Sequence, residues 1–318
     1  MRAPIFVAKD EPQFSGHETF PLRYAWLKKA YDAVRARSKD DKNRLIFSAD
    51  EAISEFGVGR NMVGSMRYWA LAARIIRDTS TTFKGPYETT ELGKAIFDEH
   101  AGWDPYIEDP ATLWLLHWQL ASHPSPTTTI YYAFNHFHSA TFYREQLADE
   151  LHRAAEQIGV KVAPKTIQRD VEVFVRAYAA RLITSEEDSL DSLMAELSLL
   201  RPIGRKDGFV FARGAKPTLP NAIFLYGLIS YASRREQGRA FSVESLLHEP
   251  GSPGRIFLLD EDALLDRLNS IEEASDERIL WSETAGLRQV IFKQDPGAFD
   301  LIDVASTAYS RRQSSNAA

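Results

Sequence analysis

The chain has 318 residues, a formal net charge of -6, 44% hydrophobic residues, 11% aromatics and no cysteine. That length suits two or three domains of roughly 100 to 200 residues each, and the hydrophobic content excludes wholesale disorder. The lack of cysteine excludes disulfides, thiolate zinc sites and cysteine nucleophiles.

The opening MRAPIFVAKDEPQ has neither the basic flank nor the long apolar run of a secretory signal. No apolar run of ~20 residues follows it, so the expectation is a soluble cytoplasmic protein without a membrane contact. Charge is unevenly spread: residues 21–77 hold twelve Lys or Arg against six Asp or Glu, inside a chain of net -6. One basic face on an acidic body is the electrostatic footprint of a polyanion binder.

Ser15 and Glu18 have capping-box spacing, but a helix starting there would hold Pro21 in its interior. Thr19 as N-cap with Pro21 in the first turn is the better start, predicting a helix from Phe20 to about Arg37. His17 and Glu18 then precede that helix, beside free backbone N–H groups at its positive end, a natural anion site. Leu22, Trp26, Ala30 and Val34 form the helix's apolar stripe, and Arg23, Lys28, Lys29 and Arg35 its basic outer side.

Ser48 and Glu51 predict a short helix over 49–56, Gly57 and Gly59 a tight turn, and a longer helix follows from Asn61 to Arg77. Short helix, glycine turn and longer helix is the order of a helix-turn-helix unit. Met62, Met66, Trp69, Ala73 and Ile76 mark the core face of the second helix. Arg60, Gly64, Arg67, Leu71 and Arg74 mark a stripe suited to tracking phosphates, and Asn61 either reaches a base edge or caps its helix. Thr81 to Glu91 predicts a hairpin, or wing, that includes Lys84, and a helix over 92–99 closes a first domain at 103.

A central domain, 104–217, is predicted to hold helices after Asp109, over 127–138, over 142–158 and after Pro164. The last has Ile167, Val171, Phe174 and Tyr178 on its apolar stripe and Arg169, Arg176 and Arg181 away from it, the layout of a second recognition helix. An acidic stretch with Glu186, Glu187 and Asp188 leads to a hairpin around Arg-Lys-Asp-Gly. The third domain, 218–318, is predicted to hold helices over 221–235, 242–248 and 260–271, a hairpin over 278–293 and a last helix over 297–309. The fold class expected is mainly α, with tandem winged-helix or helix-turn-helix modules carrying small β-hairpin wings.

FSGHETFPLRYAWLKK and GVGRNMVGSMRYW, with TLWLLHW, TIQRDVEVFVRAY and PGRIFLLDE, resemble a bacterial domain-of-unknown-function family over most of the chain. The resemblance implies a place in DNA phosphorothioate modification and defence, where SspB-like members are described as DNA-nicking components. Double-stranded DNA and other modification proteins are the partners it implies, and a homodimer is compatible with it.

The site expected from the residues has His17 and Glu18 as an acid/base or metal-binding pair. Its DNA contacts are Arg23, Lys28, Lys29, Arg60, Asn61, Arg67, Arg74 and Lys84. Hydrogen bonds that fix the loop to its domain are the alternative use of the first pair. His117, His123, His136, His138 and His152 cluster in sequence without a recognised ligand spacing. Neither a P-loop nor a dinucleotide fingerprint occurs, so ATP and dinucleotides are not expected, whereas Mg or another divalent cation is compatible with nicking. The readings left standing are a metal-dependent nickase and, against it, a non-enzymatic DNA-binding scaffold or transcriptional regulator.

Overall fold

Residues 11–48, 50–80, 85–179, 192–204, 207–235, 238–284 and 286–315 are described by a computed structural model, with backbone alone at 41 and 310–315. The described chain is mainly helical, with three small antiparallel sheets. It divides into a larger unit, the chain up to Ala133 with Phe137–Phe211, and a smaller one, Phe134–His136 with the chain from Ala212.

In the larger unit, α1 (Trp26–Ala36) begins later than Thr19 would have it. Thr19 has φ 65° and Ala25 φ 63°, left-handed values incompatible with the extended backbone of an N-cap and an unbroken helix behind it. The Thr19 N–H donates to His17 Nδ1 within the loop and its carbonyl accepts from the distant Arg176, so the capping signal loses to a loop held in part from far along the chain. Trp26, Ala30 and Val34 are buried as the stripe requires.

After α2 (Asp50–Phe56), α3 (Arg60–Ala72) buries Met66 and Trp69 and stops earlier than expected. Arg74 takes a left-handed φ of 58°, and Ile76 begins a strand. The two-stranded sheet pairs β1 (Ile76–Asp78) with β2 (Tyr87–Thr89), Ile76 opposite Thr89. A hairpin thus follows α3, but its first strand lies upstream of the predicted span, and Lys84 lies outside the described residues. α4 (Glu91–Phe97) starts under a Thr90 cap.

α5 (Pro110–Ala121) is buried on every side from Ala111 to Ala121, the pattern of a core helix. α6 (Thr128–Asn135) follows, and β3 (Thr141–Tyr143) leads into α7 (Arg144–Gln157) and α8 (Pro164–Tyr178). β4 (Leu200–Ile203) and β5 (Gly208–Phe211) complete the second sheet, in the order β3-β5-β4. Phe137, Phe142, Phe174, Phe209 and Phe211 interlock between this sheet and α8.

The smaller unit is built around α9 (Asn221–Ser233), buried from Ile223 to Ala232. β6 (Ala240–Ser242) precedes α10 (Val243–His248), α11 (Pro253–Ile256), α12 (Glu261–Leu268) and α13 (Ile271–Ala274). The hairpin of β7 (Ile279–Thr284) and β8 (Leu287–Phe292) then gives the order β6-β8-β7, and α14 (Leu301–Ser315) follows. Both three-stranded sheets therefore place the last strand between the other two, with helices filling the first connection. β3 and β6 were not predicted, because three residues are too few to show an alternating pattern.

Cations inside the smaller unit serve as clamps. Lys216 Nζ donates to the carbonyls of Ala212, Gly214 and Leu258, and Arg267 to Asn221 Oδ1 and the Lys216 carbonyl. Burial pushes Arg267 and Arg255 down to about 10, the latter also because Arg213 is near.

Candidate functional site

Four residues of the segment 15–19 have left-handed backbone: Ser15, Gly16, Glu18 and Thr19, at φ 68°, 96°, 47° and 65°. For the three that are not glycine this costs ~1 kcal/mol or more each, and such a loop persists only when its surroundings over-determine it. Here they do. Asp170, buried on α8, accepts from the Ser15 N–H at 3.0 Å, from His17 Nε2 at 2.9 Å and from Thr129 Oγ1 at 3.3 Å. The Gln13 N–H donates to Thr128 Oγ1, and Arg176 donates to the Thr19 carbonyl.

His17 is 5% exposed, edge-on to Tyr68 and stacked on Trp69. A backbone N–H can only donate, so the Thr19 bond makes Nδ1 the acceptor and puts the ring proton on Nε2, facing Asp170. Both ring nitrogens are thus engaged inside the protein. Gly16 is required where it stands: besides its positive φ, a Cβ would lie 2.9 Å from the Tyr68 ring. Tyr68 is itself fixed by its bond to the Pro126 carbonyl. Its hydroxyl is pushed well above the usual range by burial first and by Asp170 second.

Glu18 points the other way and is exposed. Its Cγ lies 3.5 Å from where a Cβ on Gly64 would stand, so it rests on α3 between Arg60 and Arg67. The loop also forms a polar pocket of about 290 Å³ with α8, lined by Ser15, Gly16, Glu18, Thr19, Thr166 and Arg169 over a floor of His17 and Asp170. Arg169 is exposed, and neither it nor Glu18 has a hydrogen-bond or ion-pair partner among the described residues. Glu18 and Arg169 therefore both border the pocket, with no bond between them.

The other predicted contacts fall into two groups. On α1, Lys28 pairs with Asp32 and Lys29 Nζ donates to the Phe56 carbonyl, while Arg23, ahead of the helix, lies half-buried over the Phe20 and Trp26 rings. On α3, Arg60 pairs with Asp50, but both side chains are more than three-quarters exposed, and such pairs hold by ~0 to 1 kcal/mol. Arg67 is half-buried and donates to Tyr87 Oη. Asn61 is exposed in the first turn of α3, whose cap is Gly59. Arg74, past the end of α3, is also exposed. Segment 15–19 and the Arg60–Gly64–Arg67 stripe, far apart in sequence, are therefore brought together.

The clustered histidines do not form a centre. His117 Nδ1 meets Tyr178 Oη in the core, His123 meets Ser122, and His152 meets the Val162 carbonyl. Among the described residues no three His, Asp or Glu side chains are grouped to hold a metal. A hard cation that keeps most of its waters needs only one or two carboxylates, and the open Glu18 carboxylate suits that coordination. Asp170 escaped the sequence reading, although a carboxylate three residues after Ile167 and four before Phe174, on an apolar stripe, is a sign of a buried polar partner.

The profile of a family described as "Protein of unknown function (DUF4007)" matches residues 14–306. Two solved structures, "Magnesium ion-bound SspB crystal structure" and "SspB crystal structure", each share 31% sequence identity with the chain at a TM-score of 0.82. Each comparison covers 95% of this chain and 89% of the other. No curated protein matches. Among the described residues no helix is long and apolar enough to cross a membrane.

Proposed function

The chain belongs to the DUF4007 family and is built like SspB, and on that premise we propose that it is a DNA-binding component of a DNA phosphorothioate modification system that nicks duplex DNA. The observation that carries this reading is the seating of Glu18 on Gly64, which sets the 15–19 loop between two arginines of α3.

In this reading the protein works with other modification proteins in the cytoplasm and is assembled from three winged-helix-like modules, at 1–103, 104–217 and 218–318. The β3-β5-β4 and β6-β8-β7 orders, with helices between first and second strands, are the supporting features. α3 approaches the duplex as the recognition element, with Arg60, Asn61, Arg67 and Arg74 toward the phosphates. Arg23, Lys28 and Lys29 contribute to the positive field more than to direct contacts, and Arg60 is the cation whose partner, Asp50, yields most readily, because that pair is more than three-quarters exposed.

Glu18 is the group placed to act on the phosphodiester, and His17 positions it. The imidazole holds the loop through Asp170 and Thr19, leaving the neighbouring carboxylate presented outward. A divalent cation held by Glu18 would supply charge neutralisation at the phosphate and activation of water. The non-enzymatic alternative, a scaffold or regulator, draws its support from the complete internal engagement of His17.

Relaxation of supercoiled plasmid by the purified protein with magnesium chloride tests the reading. Open circles are expected, and Glu18→Gln should abolish them while leaving duplex binding in place. Duplex binding without relaxation would leave the scaffold reading; no duplex binding would remove both.

A further inference from the structure

From the outer face of the β3-β5-β4 sheet we infer a second nucleic-acid surface, on which Tyr143 stacks an unpaired DNA base while Ile203 brackets it and Arg201 meets a strand phosphate. This surface is separate from the duplex surface proposed for α3 and goes beyond it, adding single-stranded DNA as a partner.

Among the described residues six large apolar side chains stand exposed: Leu45, Tyr106, Tyr143, Ile158, Ile203 and Leu287. Two of them share one row of one sheet. Tyr143 of β3 and Ile203 of β4 both lie opposite Gly208 of the central strand β5, and so project from the same face on either side of it. A Cβ on Gly208 would stand 3.1 Å from Ile203 Cγ1 and 3.5 Å from Tyr143 Cε1, so both side chains lean over the glycine. Covering that gap uses little of either: Tyr143 remains 59% and Ile203 40% exposed.

The opposite face of the same strands is already complete without them. Phe142, Phe209 and Phe211 point inward and pack on one another, and Phe211 meets Phe174 of α8. A ring and an aliphatic chain left in water gain from a partner that covers them.

The charge around this face fits a polyanion. The hairpin segment 200–213 carries Arg201, Arg205, Lys206 and Arg213 against Asp207 alone, and Asp207 is engaged by Arg144. Arg201 stands on the same face as Ile203, exposed, with no partner among the described residues. An intact duplex hides its base faces in the stack and shows hydrated phosphates, to which Tyr143 and Ile203 offer nothing. An unpaired strand shows bases and phosphates together, and an aromatic ring beside a cation receives both. Two side chains closing over a glycine also make a flat step, which suits a planar base better than an inserted side chain.

The platform and the 15–19 loop rest on one helix. Asp170, which holds the loop, lies one turn before Phe174 on α8. A strand opened by nicking would thus meet the platform on the unit that opened it.

The test uses the full-length protein and two fluorescein-labelled probes in anisotropy titrations, an oligothymidylate of roughly 15 nucleotides and a blunt duplex. Wild type is expected to bind both. Tyr143→Ala and Tyr143→Leu should each weaken oligothymidylate binding about tenfold, equivalent to ~1.4 kcal/mol, and leave duplex binding as in wild type. Tyr143→Phe keeps the ring and should bind both probes like wild type. Arg201→Gln should flatten the salt dependence of oligothymidylate binding by roughly 0.7 in log K against log salt. Leucine keeps an apolar cover over Gly208, so the Tyr143→Leu melting curve should match wild type and separate lost stacking from a lost sheet.

Duplex binding by wild type without oligothymidylate binding would overturn the inference and leave the face to a protein partner. Tyr143→Leu holding the single strand as tightly as wild type, or losing both probes equally, would overturn it too. Failure of the duplex reading looks different. In that case oligothymidylate is bound through Tyr143 while the duplex is not, or a variant lacking Arg60 and Arg67 binds the duplex as well as wild type.

Discussion

α1 and the first turns of α8 both carry basic side chains on the larger unit, but they use them differently. On α1, Lys28 and Lys29 are held by Asp32 and the Phe56 carbonyl, and Arg35 pairs with Asp98. Just past the helix, Arg37 makes a two-pronged pair with Glu55. That pair raises the Arg37 pKa, through the Glu55 hydrogen bond first. On α8, Lys165 and Arg169 are exposed with no partner among the described residues. The difference teaches that local charge density does not measure what is available to a ligand; the partners around each cation decide it.

The contrast breaks most visibly if the loop is set free. Asp170→Ala leaves the Ser15 N–H and the His17 Nε2–H without their acceptor in a buried site, at a cost of about 3 kcal/mol. A lower melting temperature and new protease cleavage near residue 15 are the expected results. Unchanged cleavage would mean that the loop is held by something other than Asp170.

A smaller effect is expected at Gly64. Alanine there makes only ordinary contact with Glu18 and should stabilise α3 by ~1 kcal/mol, with DNA binding intact. Leucine should displace Glu18 and remove plasmid nicking without unfolding the unit. Equal nicking by the two variants would separate the seating of Glu18 on α3 from the chemistry.

The smallest effect tests whether the β1–β2 hairpin bears on the site. Burial favours protonation of Asp78, but hydrogen bonds from the Gly85 N–H and from Ser80 outweigh it and hold its pKa below the ordinary 3.8. A depressed carboxylate stabilises the fold above its ordinary value, and that contribution disappears as pH falls through the lowered one. Asp78→Asn should therefore lower the melting temperature at neutral pH by about 2 °C, with the difference closing as pH falls below the ordinary carboxylate range. Duplex affinity at neutral pH should stay as in wild type.

Much of the helical layout was legible in the sequence because it rests on local pattern: the α3 core face of Met66 and Trp69, the glycine turn before it, and the all-apolar α5 and α9. The segment 15–19 was placed by a capping rule and came out differently, because the groups that shape it, Asp170 and Arg176, lie more than 150 residues away. The nearness of that segment to the arginine stripe was needed by the sequence reading but could not be seen there. Glu18 seated on Gly64 supplies it. Pairings such as Arg37 with Glu55 escaped for the same reason: a charge count carries no information about which side chains face each other.

The salt dependence of duplex binding tests the central claim most directly, comparing an Arg60→Gln/Arg67→Gln/Arg169→Gln variant with a Lys28→Gln/Arg35→Gln/Arg37→Gln variant. Each lost phosphate contact flattens the slope of log K against log salt by roughly one, so the first should flatten it by about two to three and the second should leave it as in wild type. The reverse outcome, with the α1 set flattening the slope and the loop-flanking set leaving it unchanged, would contradict the account.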